Sequence, residues 1–280
     1  MMGALGVAHE DRLTRRDFDR VRELVREQCG IQLGPDKHTM VEVRLKRRLR
    51  ALGHATYTDY CAHLFESRSK AELVSLIDVI TTNKTDFFRE SNHFDFLTER
   101  VLPELNRRAA PMLIWSAACS SGEEPYTMAM VLSEFAEKHE SFRFSILATD
   151  ISTEVLERAE TAVYTKQVVE PISASMQRKY LMRSRDRSND RVRIVPELRS
   201  KVEFRRLNFM DEAYGLPVAP QVIFCRNALI YFDRVTQESI VRKLIRELEP
   251  GGYLFIGHSE TLSQMDLPVT AVASTIYRKI

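Results

Sequence analysis

The stretch Met112 to Met130, MLIWSAACSSGEEPYTMAM, constrains this chain more than any other. Its first half is apolar and β-prone, Ser120-Ser121-Gly122 interrupts that pattern, and from Tyr126 apolar residues return at helical spacing, so it reads as strand, turn, helix. Such a turn at the carboxyl end of a parallel strand directs backbone N–H groups and a helix N-terminus at a small ligand. One glycine in place of three, with Glu123 and Glu124 where a pyrophosphate would bring its own negative charge, suits a dinucleotide poorly and a cationic ligand better. S-adenosylmethionine, with a sulfonium and an amino group, is a ligand of that kind. An ordinary βα turn, in which the two glutamates complement the helix dipole, fits the same residues.

The rest of the chain extends this unit. Phe142 to Thr149 (strand, ended by Asp150), Thr153 to Ala162 (helix), residues 202–207, Gln221 to Cys225 and Gly252 to Gly257 (strands), with helical Thr236 to Leu248 before the last, alternate as in a mostly parallel sheet covered on both faces. Between Val163 and Arg199 the alternation breaks: Met176 to Leu181 has helical character and Val192 to Val195 is β-like, which fits a small inserted lobe over about 163–200. Val269 to Tyr277 supplies one or two further strands that close the sheet edge.

Ahead of the sheet, four amphipathic patterns predict an all-helical domain over residues 1–80. Thr14 to Glu27 places Phe18, Val21, Leu24 and Val25 on one face after a Thr14 cap, with Gly30 behind it. Asp36 to Leu52 sets Met40, Val41, Leu45, Leu49 and Leu52 inward, leaves Arg44, Lys46, Arg47, Arg48 and Arg50 for the outer surface, and stops at Gly53. Tyr57 to Phe65 and Lys70 to Ile80 complete the bundle. Residues 81–110, polar at first and helical from Phe94 until shortly after Pro103, read as a bridge to the sheet domain of 111–280.

Composition sets limits without naming a function. With 280 residues, 44% hydrophobic and 29% charged, the chain can build two buried cores. Nowhere do eighteen apolar residues run together, and MMGALGVAHEDR is no signal sequence, so a cytoplasmic protein without membrane insertion is expected. Cys29, Cys61, Cys119 and Cys225 are scattered without a C-x-x-C pair, so neither a metal site nor a disulfide framework is expected. Net charge is only +2, but the first fifty residues carry 12 Lys/Arg against 8 Asp/Glu.

Several polar residues fall at strand ends, where such sheets bind ligands. Asp150 is placed to accept both ribose hydroxyls of an adenosine, and ATDIS is equally a helix-capping sequence. Asn208 and the Cys225-Arg-Asn-Ala228 segment share the same edge, and Asn227 suits either ligand contact or a turn. His258-Ser259-Glu260 superficially suggests a hydrolase, but adjacent residues on one loop cannot set up nucleophile, base and orienter. Trp115, Tyr126, Phe87 and Phe88 are core or pocket wall.

Taken together, TTNKTDFFRE, WSAACSSGEEPY, ATDIS, LNF and FCRNALIYFD occur in the order and spacing of the chemotaxis receptor glutamate O-methyltransferases, the CheR family, which this chain resembles over nearly its whole length. The resemblance implies a class I methyltransferase domain, a Rossmann-like α/β fold with a mostly parallel seven-stranded sheet, an all-α N-terminal domain and an inserted β-subdomain. It further implies S-adenosylmethionine as cofactor, S-adenosylhomocysteine as product, and esterification of glutamates on the cytoplasmic helices of methyl-accepting chemotaxis proteins. In that family the positions matching Asn83, Thr85, Arg89, Ala118, Glu124, Asp150, Asn208, Phe209, Asn227 and Ala228 hold the cofactor, and those matching Arg89 and Tyr231 lie near the transferring methyl. Cys119 and Ala228 depart from the commonest family residues at positions that look like backbone contacts.

In this light the basic helix carrying Arg44, Arg47, Arg48 and Arg50 suits docking to glutamate-rich receptor helices, although a solvated face accounts for it as well. The insert matches the β-subdomain with which some members grip a receptor's C-terminal pentapeptide, but RSRDRSNDR lacks the glycines expected of that loop. Two rival readings are a nucleic-acid methyltransferase, which the modest net charge disfavours, and a non-catalytic S-adenosylmethionine-binding regulator.

Overall fold

In the computed structural model, which describes residues 11–67, 69–106, 111–186, 188, 190–216 and 218–280, the contacts divide the chain into two compact units, Met1–Thr81 and Thr82–Ile280. The leader expectation for MMGALGVAHEDR, the last four residues of the expected bridge, and part of the RSRDRSNDR loop fall outside the described residues.

In the first unit local signals set the helix boundaries. Helix α1 (Arg15–Cys29) starts where the extended Thr14 accepts the Asp17 N–H on its Oγ at 3.1 Å, and ends where Gly30 turns left-handed at φ 75°. Helix α2 (His38–Leu52) follows a 3-10 turn at Pro35–Lys37 and stops at left-handed Gly53; α3 (Tyr57–Ser67) and α4 (Lys70–Ile80), capped by Ser69, complete the unit. Phe18, Val21, Val25, Val41, Leu45, Leu49, Tyr60 and Leu76 are buried in it, the larger aliphatic and Phe side chains contributing about 1.5–3 kcal/mol each.

Two expectations for α2 need correction. Leu52 is 40% exposed at the last position of the helix instead of facing inward. Arg44 and Arg48 are not part of an outer cationic face. The Arg48 guanidinium makes a two-pronged bond with the buried Glu72 of α4 (3.1 and 2.6 Å), and Arg44 donates to the carbonyls of Ile80 and Thr81 at the end of the same helix. Lys46, Arg47 and Arg50 remain exposed.

In the second unit, helix α5 (Asn92–Phe96), a wide turn of π type (Leu97–Val101) and α6 (Leu102–Leu105) form one helical run. Phe94, Leu97, Val101, Leu102 and Leu105 share an apolar core with strand β1 (Met112–Ala117) and helix α7 (Glu123–Lys138). There follow β2 (Phe144–Asp150), α8 (Thr153–Thr161), β3 (Val163–Thr165), α9 (Ala174–Tyr180), β4 (Leu181–Arg183), β5 (Arg191–Ile194), α10 (Pro196–Arg199) and β6 (Val202–Arg206). The chain closes with β7 (Val222–Cys225), α11 (Arg234–Glu247), β8 (Tyr253–Ile256), β9 (Val269–Ala273) and β10 (Ile276–Lys279).

The main sheet has seven strands in the order β6-β2-β1-β7-β8-β10-β9. The first five are parallel, and β10 runs antiparallel between β8 and β9. This is the class I methyltransferase architecture. The inserted lobe is a separate antiparallel sheet, β3-β5-β4, tied to α7 by Lys179 and Tyr180, both bonded to Glu134 at 2.7 Å. Among the described residues no helix is long and apolar enough to cross a membrane.

Candidate active site

Sheet order places the site. From β1 the chain builds outward to β2 and β6 on one side and to β7 and β8 on the other, so the carboxyl ends of β1 and β7 flank a topological switch point, where α/β sheets leave a crevice. The segments leaving those strands adopt backbone conformations that side chains disfavour. Ala118 (φ 68°) and Ser120 (φ 51°) after β1, Asn227 (φ 55°) after β7, and Phe88 (φ 54°) and Glu90 (φ 55°) ahead of α5 are all left-handed without being glycine. Strain of about 1–3 kcal/mol per residue persists only where surrounding contacts dictate it.

At the end of β1 those contacts are visible. Ser120 donates its N–H to Asp150 Oδ2 at 2.9 Å and its hydroxyl to the Asn83 carbonyl at 2.8 Å, binding the 83–90 segment, the β1 loop and the end of β2 into one wall. Asp150 Oδ1 accepts the Ser152 N–H at 3.0 Å, so the turn-forming role coexists with a position at the crevice. The loop's one glycine, Gly122, serves packing: a Cβ there would come within 2.8 Å of Tyr164 Oη and 2.9 Å of Ala159 Cβ.

The two glutamates that open α7 part company. Glu123 stays at the helix start, accepting from Ser121 Oγ at 2.8 Å. Glu124 turns to the crevice, accepting from Ser116 Oγ at 2.7 Å and from Arg226 Nη1 at 3.2 Å; burial pushes its carboxyl above the ordinary range, against the pull of Arg226. Arg226, whose side chain is 2% exposed, also bonds Glu90 Oε2 through Nε and Nη2 (3.3 and 3.1 Å) and the Arg89 carbonyl. Glu90 in turn accepts from Asn227 Nδ2 at 3.1 Å and His258 N at 3.2 Å; these bonds and the Arg226 charge outweigh burial and hold its carboxyl below the usual range.

Glu260 completes the frame. Its carboxylate accepts the backbone N–H groups of Gly257 (2.6 Å), Leu229 (2.8 Å) and Asn227 (3.0 Å), fixing the turn after β7 against the one after β8. That occupation, and its burial, leave no hydrolytic role for His258-Ser259-Glu260.

Sequence reasoning did not single out the residues that tie these segments together: Arg226, Glu90 and Glu260. A signal existed, since an arginine directly after the apolar run Val222–Cys225 is buried with its strand and needs carboxylates.

Of the expected cofactor residues, Asn83, Arg89, Glu124, Asp150 and Asn227 join this hydrogen-bonded frame, and Ala118 is its left-handed hinge. Arg89 donates its guanidinium to the Lys84 carbonyl at 3.0 Å. Thr85 is half-buried on the same segment, and Ala228 is buried beside Asn227. Asn208 closes its own turn by accepting the Met210 N–H at 3.0 Å. The ring of Phe209 packs into the core with Tyr214 and Phe232. Tyr231, half-buried in a short turn (Leu229–Tyr231), makes no side-chain hydrogen bond with other described residues. Trp115, Tyr126 and Phe87 are core, with Trp115 Nε1 donating to Thr149 Oγ1 at 2.9 Å.

Comparison with known proteins places this frame. Residues 83–278 match the CheR methyltransferase, SAM binding domain, and residues 16–81 the CheR methyltransferase, all-alpha domain. The chain belongs to the CheR methyltransferase family. It is 40% identical over 256 residues to the chemotaxis protein methyltransferase of Borreliella burgdorferi, covering 89% of each chain. It is 38% identical over 265 residues to that of Salmonella typhimurium, covering 95% of this chain and 90% of the other. With that of Escherichia coli it shares 37% over 265 residues, covering 95% and 91%.

As a CheR methyltransferase the chain uses S-adenosylmethionine, and acidic residues suited to such a cation stand on the segments at the carboxyl ends of β1 and β2 and ahead of α5: Glu124, Asp150 and Glu90. Cys119 beside them is inert, burial pushing its thiol well up.

Proposed function

We propose that this CheR methyltransferase esterifies glutamate side chains on the cytoplasmic helices of chemoreceptors, giving glutamyl 5-O-methyl esters. The observation that carries the reading is the pairing of both family domains in one chain with close relatives that act in chemotaxis. S-adenosylmethionine supplies the methyl group and leaves as S-adenosylhomocysteine. Asn83, Thr85, Ala118, Glu124, Asp150, Asn208, Phe209, Asn227 and Ala228 form the cofactor crevice, with Phe209 and Ala228 contributing backbone and wall.

A receptor glutamate arrives ionised and needs no general base, so the protein's task is alignment and exclusion of water. Orientation alone can contribute up to about 7–11 kcal/mol. Arg89 guides the carboxylate and the Tyr231 hydroxyl orients it by a hydrogen bond. Tight pairing with Arg89 would stabilise the ground state and slow attack, so its held position against the Lys84 carbonyl favours guidance over neutralisation. Arg47 and Arg50, exposed on α2, steer acidic receptor helices by long-range attraction.

Incubation with methyl-labelled cofactor and receptor-bearing membranes tests this reading. Protein-bound label released by alkali as methanol is the expected result; alkali-stable label, or label on nucleic acid, would refute it. Tyr231→Phe and Arg89→Ala should each lower turnover at saturating substrates by roughly tenfold to a hundredfold, the loss of one charge-assisted hydrogen bond.

A further inference from the structure

On the far side of Glu90 from Asn227 stands a cluster that the methyl-transfer frame does not use. His93 is wholly buried, its ring edge-on to those of His258, Phe255 and Phe224 at centroid distances of 5.0, 5.6 and 6.4 Å. Thr275, in the hairpin between β9 and β10, donates its hydroxyl proton to the Ser274 carbonyl at 2.7 Å. With that proton on the Ser274 carbonyl, the hydroxyl accepts from His93 Nε2, 2.9 Å away, in the tautomer whose Nδ1 carries a lone pair.

Nδ1 finds no hydrogen-bond partner, and it points at Glu90 Oε2 across 3.6 Å. In that tautomer two acceptors face each other in a buried place, an arrangement that favours a cation between them. His258 Nε2 lies 4.0 Å from the same carboxylate oxygen, and the three ligand atoms all fall within 4.8 Å of one another.

We propose that His93 Nδ1, His258 Nε2 and Glu90 Oε2 form a site for a borderline divalent metal ion of the zinc class, and that its occupation weakens cofactor binding in the adjoining crevice. Two imidazoles and one carboxylate are the donor set of open tetrahedral zinc sites, with a further position left for water. In a tetrahedral site with bonds of about 2.0–2.2 Å the ligand atoms lie about 3.3–3.6 Å apart, so His258 Nε2, 4.0 Å from Glu90 Oε2, must move inward. The half-exposed His258 ring can swing to do it. Thr275 supplies the outer bond that such histidines require, and it holds a left-handed conformation (φ 59°) costly for a β-branched residue in doing so.

Arg226 sets the price of occupation and its consequence. It shares Glu90 Oε2 at 3.1 Å, so the incoming ion both feels its charge and competes for its partner. Drawing Glu90 toward the metal loosens Arg226, and through it Glu124 and the Arg89 carbonyl. Ion binding itself is independent of which substrate receives the methyl group.

Cobalt titration of chelator-treated full-length protein tests the site. One equivalent of Co²⁺ should develop a visible ligand-field band of tetrahedral type, without the thiolate charge-transfer band that cysteine ligation would add, and Zn²⁺ should displace it. His258→Ala, with thermal midpoint confirming the fold, should weaken cobalt binding by at least about tenfold. His54 and His63, whose rings lie 5.1 Å apart in the helical unit, are the control: the double variant His54→Ala/His63→Ala should bind as wild type. Calorimetry with S-adenosylhomocysteine should show saturating Zn²⁺ weakening its binding several-fold in wild type and not in His258→Ala. No band, or a band that survives His258→Ala and vanishes with the His54/His63 pair, would overturn the site. Unaltered S-adenosylhomocysteine affinity in the zinc-loaded protein would overturn the coupling.

Discussion

Each unit of the molecule holds an arginine bonded to buried acid, and the two arrangements behave differently. In the helical unit Arg48 meets Glu72 in a two-pronged pair that also takes the Tyr60 hydroxyl at 2.8 Å. The pair lies between regular helices, and its partners are 24 residues apart. In the sheet unit Arg226 serves Glu90, Glu124 and the Arg89 carbonyl, partners 136, 102 and 137 residues away, and two of the residues it organises, Glu90 and Asn227, sit in left-handed conformations. The same ion-pair chemistry therefore does two jobs. Where the backbone around it is regular it fastens one helix to another; where the backbone is strained it defines a crevice.

Removing the arginine separates the two jobs most sharply. Arg226→Met leaves two buried carboxylates without their cation and should cost about 3–5 kcal/mol. Urea unfolding would measure it, and calorimetry on the folded fraction should find S-adenosylhomocysteine binding lost. Arg48→Met strands one carboxylate where Arg226→Met strands two, and Arg48 itself is 18% exposed, so it should cost less, about 2–3 kcal/mol. Cofactor affinity should then be unchanged. Adding Glu72→Gln, which keeps an acceptor for Tyr60, should restore most of the loss. Equal losses of cofactor affinity from Arg226→Met and Arg48→Met would erase the distinction.

A smaller change probes the strained side alone. A Cβ on Gly257 would stand 2.5 Å from Asn227 Nδ2, 2.8 Å from Asn227 N and 2.9 Å from Glu260 Oε2. Gly257→Ala should therefore cost about 1–3 kcal/mol, as overpacking does. It should also weaken S-adenosylhomocysteine binding, because the atoms displaced belong to the turn after β7. A full stability loss with unaltered binding would show that this turn is structural only.

What could be read in the sequence follows the same division. Caps, glycine stops and strand runs are local, so α1, α4 and the parallel strands stand within a few residues of where their patterns put them. Four of the quoted motifs lie at strand ends, after β1, β2, β6 and β7, and TTNKTDFFRE lies between α4 and α5. The bonds of Arg226 and of Glu90 to Asn227 were hidden, being made between residues more than a hundred positions apart, and Phe209 shows the converse: a motif residue whose ring the core claims. Arg48 was readable after all. Glu72, Leu76 and Ile80 recur at four-residue spacing on α4, which puts a glutamate on the buried stripe and demands a cation opposite. Arg44 and Arg48, four apart on α2, answer that demand.

The smallest expected effect tests α2 itself, where arginines of one helix divide between the two faces. Arg47 and Arg50 are exposed while Arg48 between them is bonded inward. Reversing Arg47 and Arg50 to Glu should leave stability within about 0.5 kcal/mol of wild type, as for surface changes generally, and leave S-adenosylhomocysteine affinity intact. If this face steers acidic receptor helices, the methylation rate at subsaturating receptor should fall several-fold at low ionic strength. The deficit should close as salt shortens the screening length to about 3 Å near 1 M. A deficit that persists at high salt would mean these side chains make close contacts with the receptor and do more than steer it, and no deficit at low salt would remove α2 from docking, with Arg44 and Arg48 keeping their structural bonds to α4.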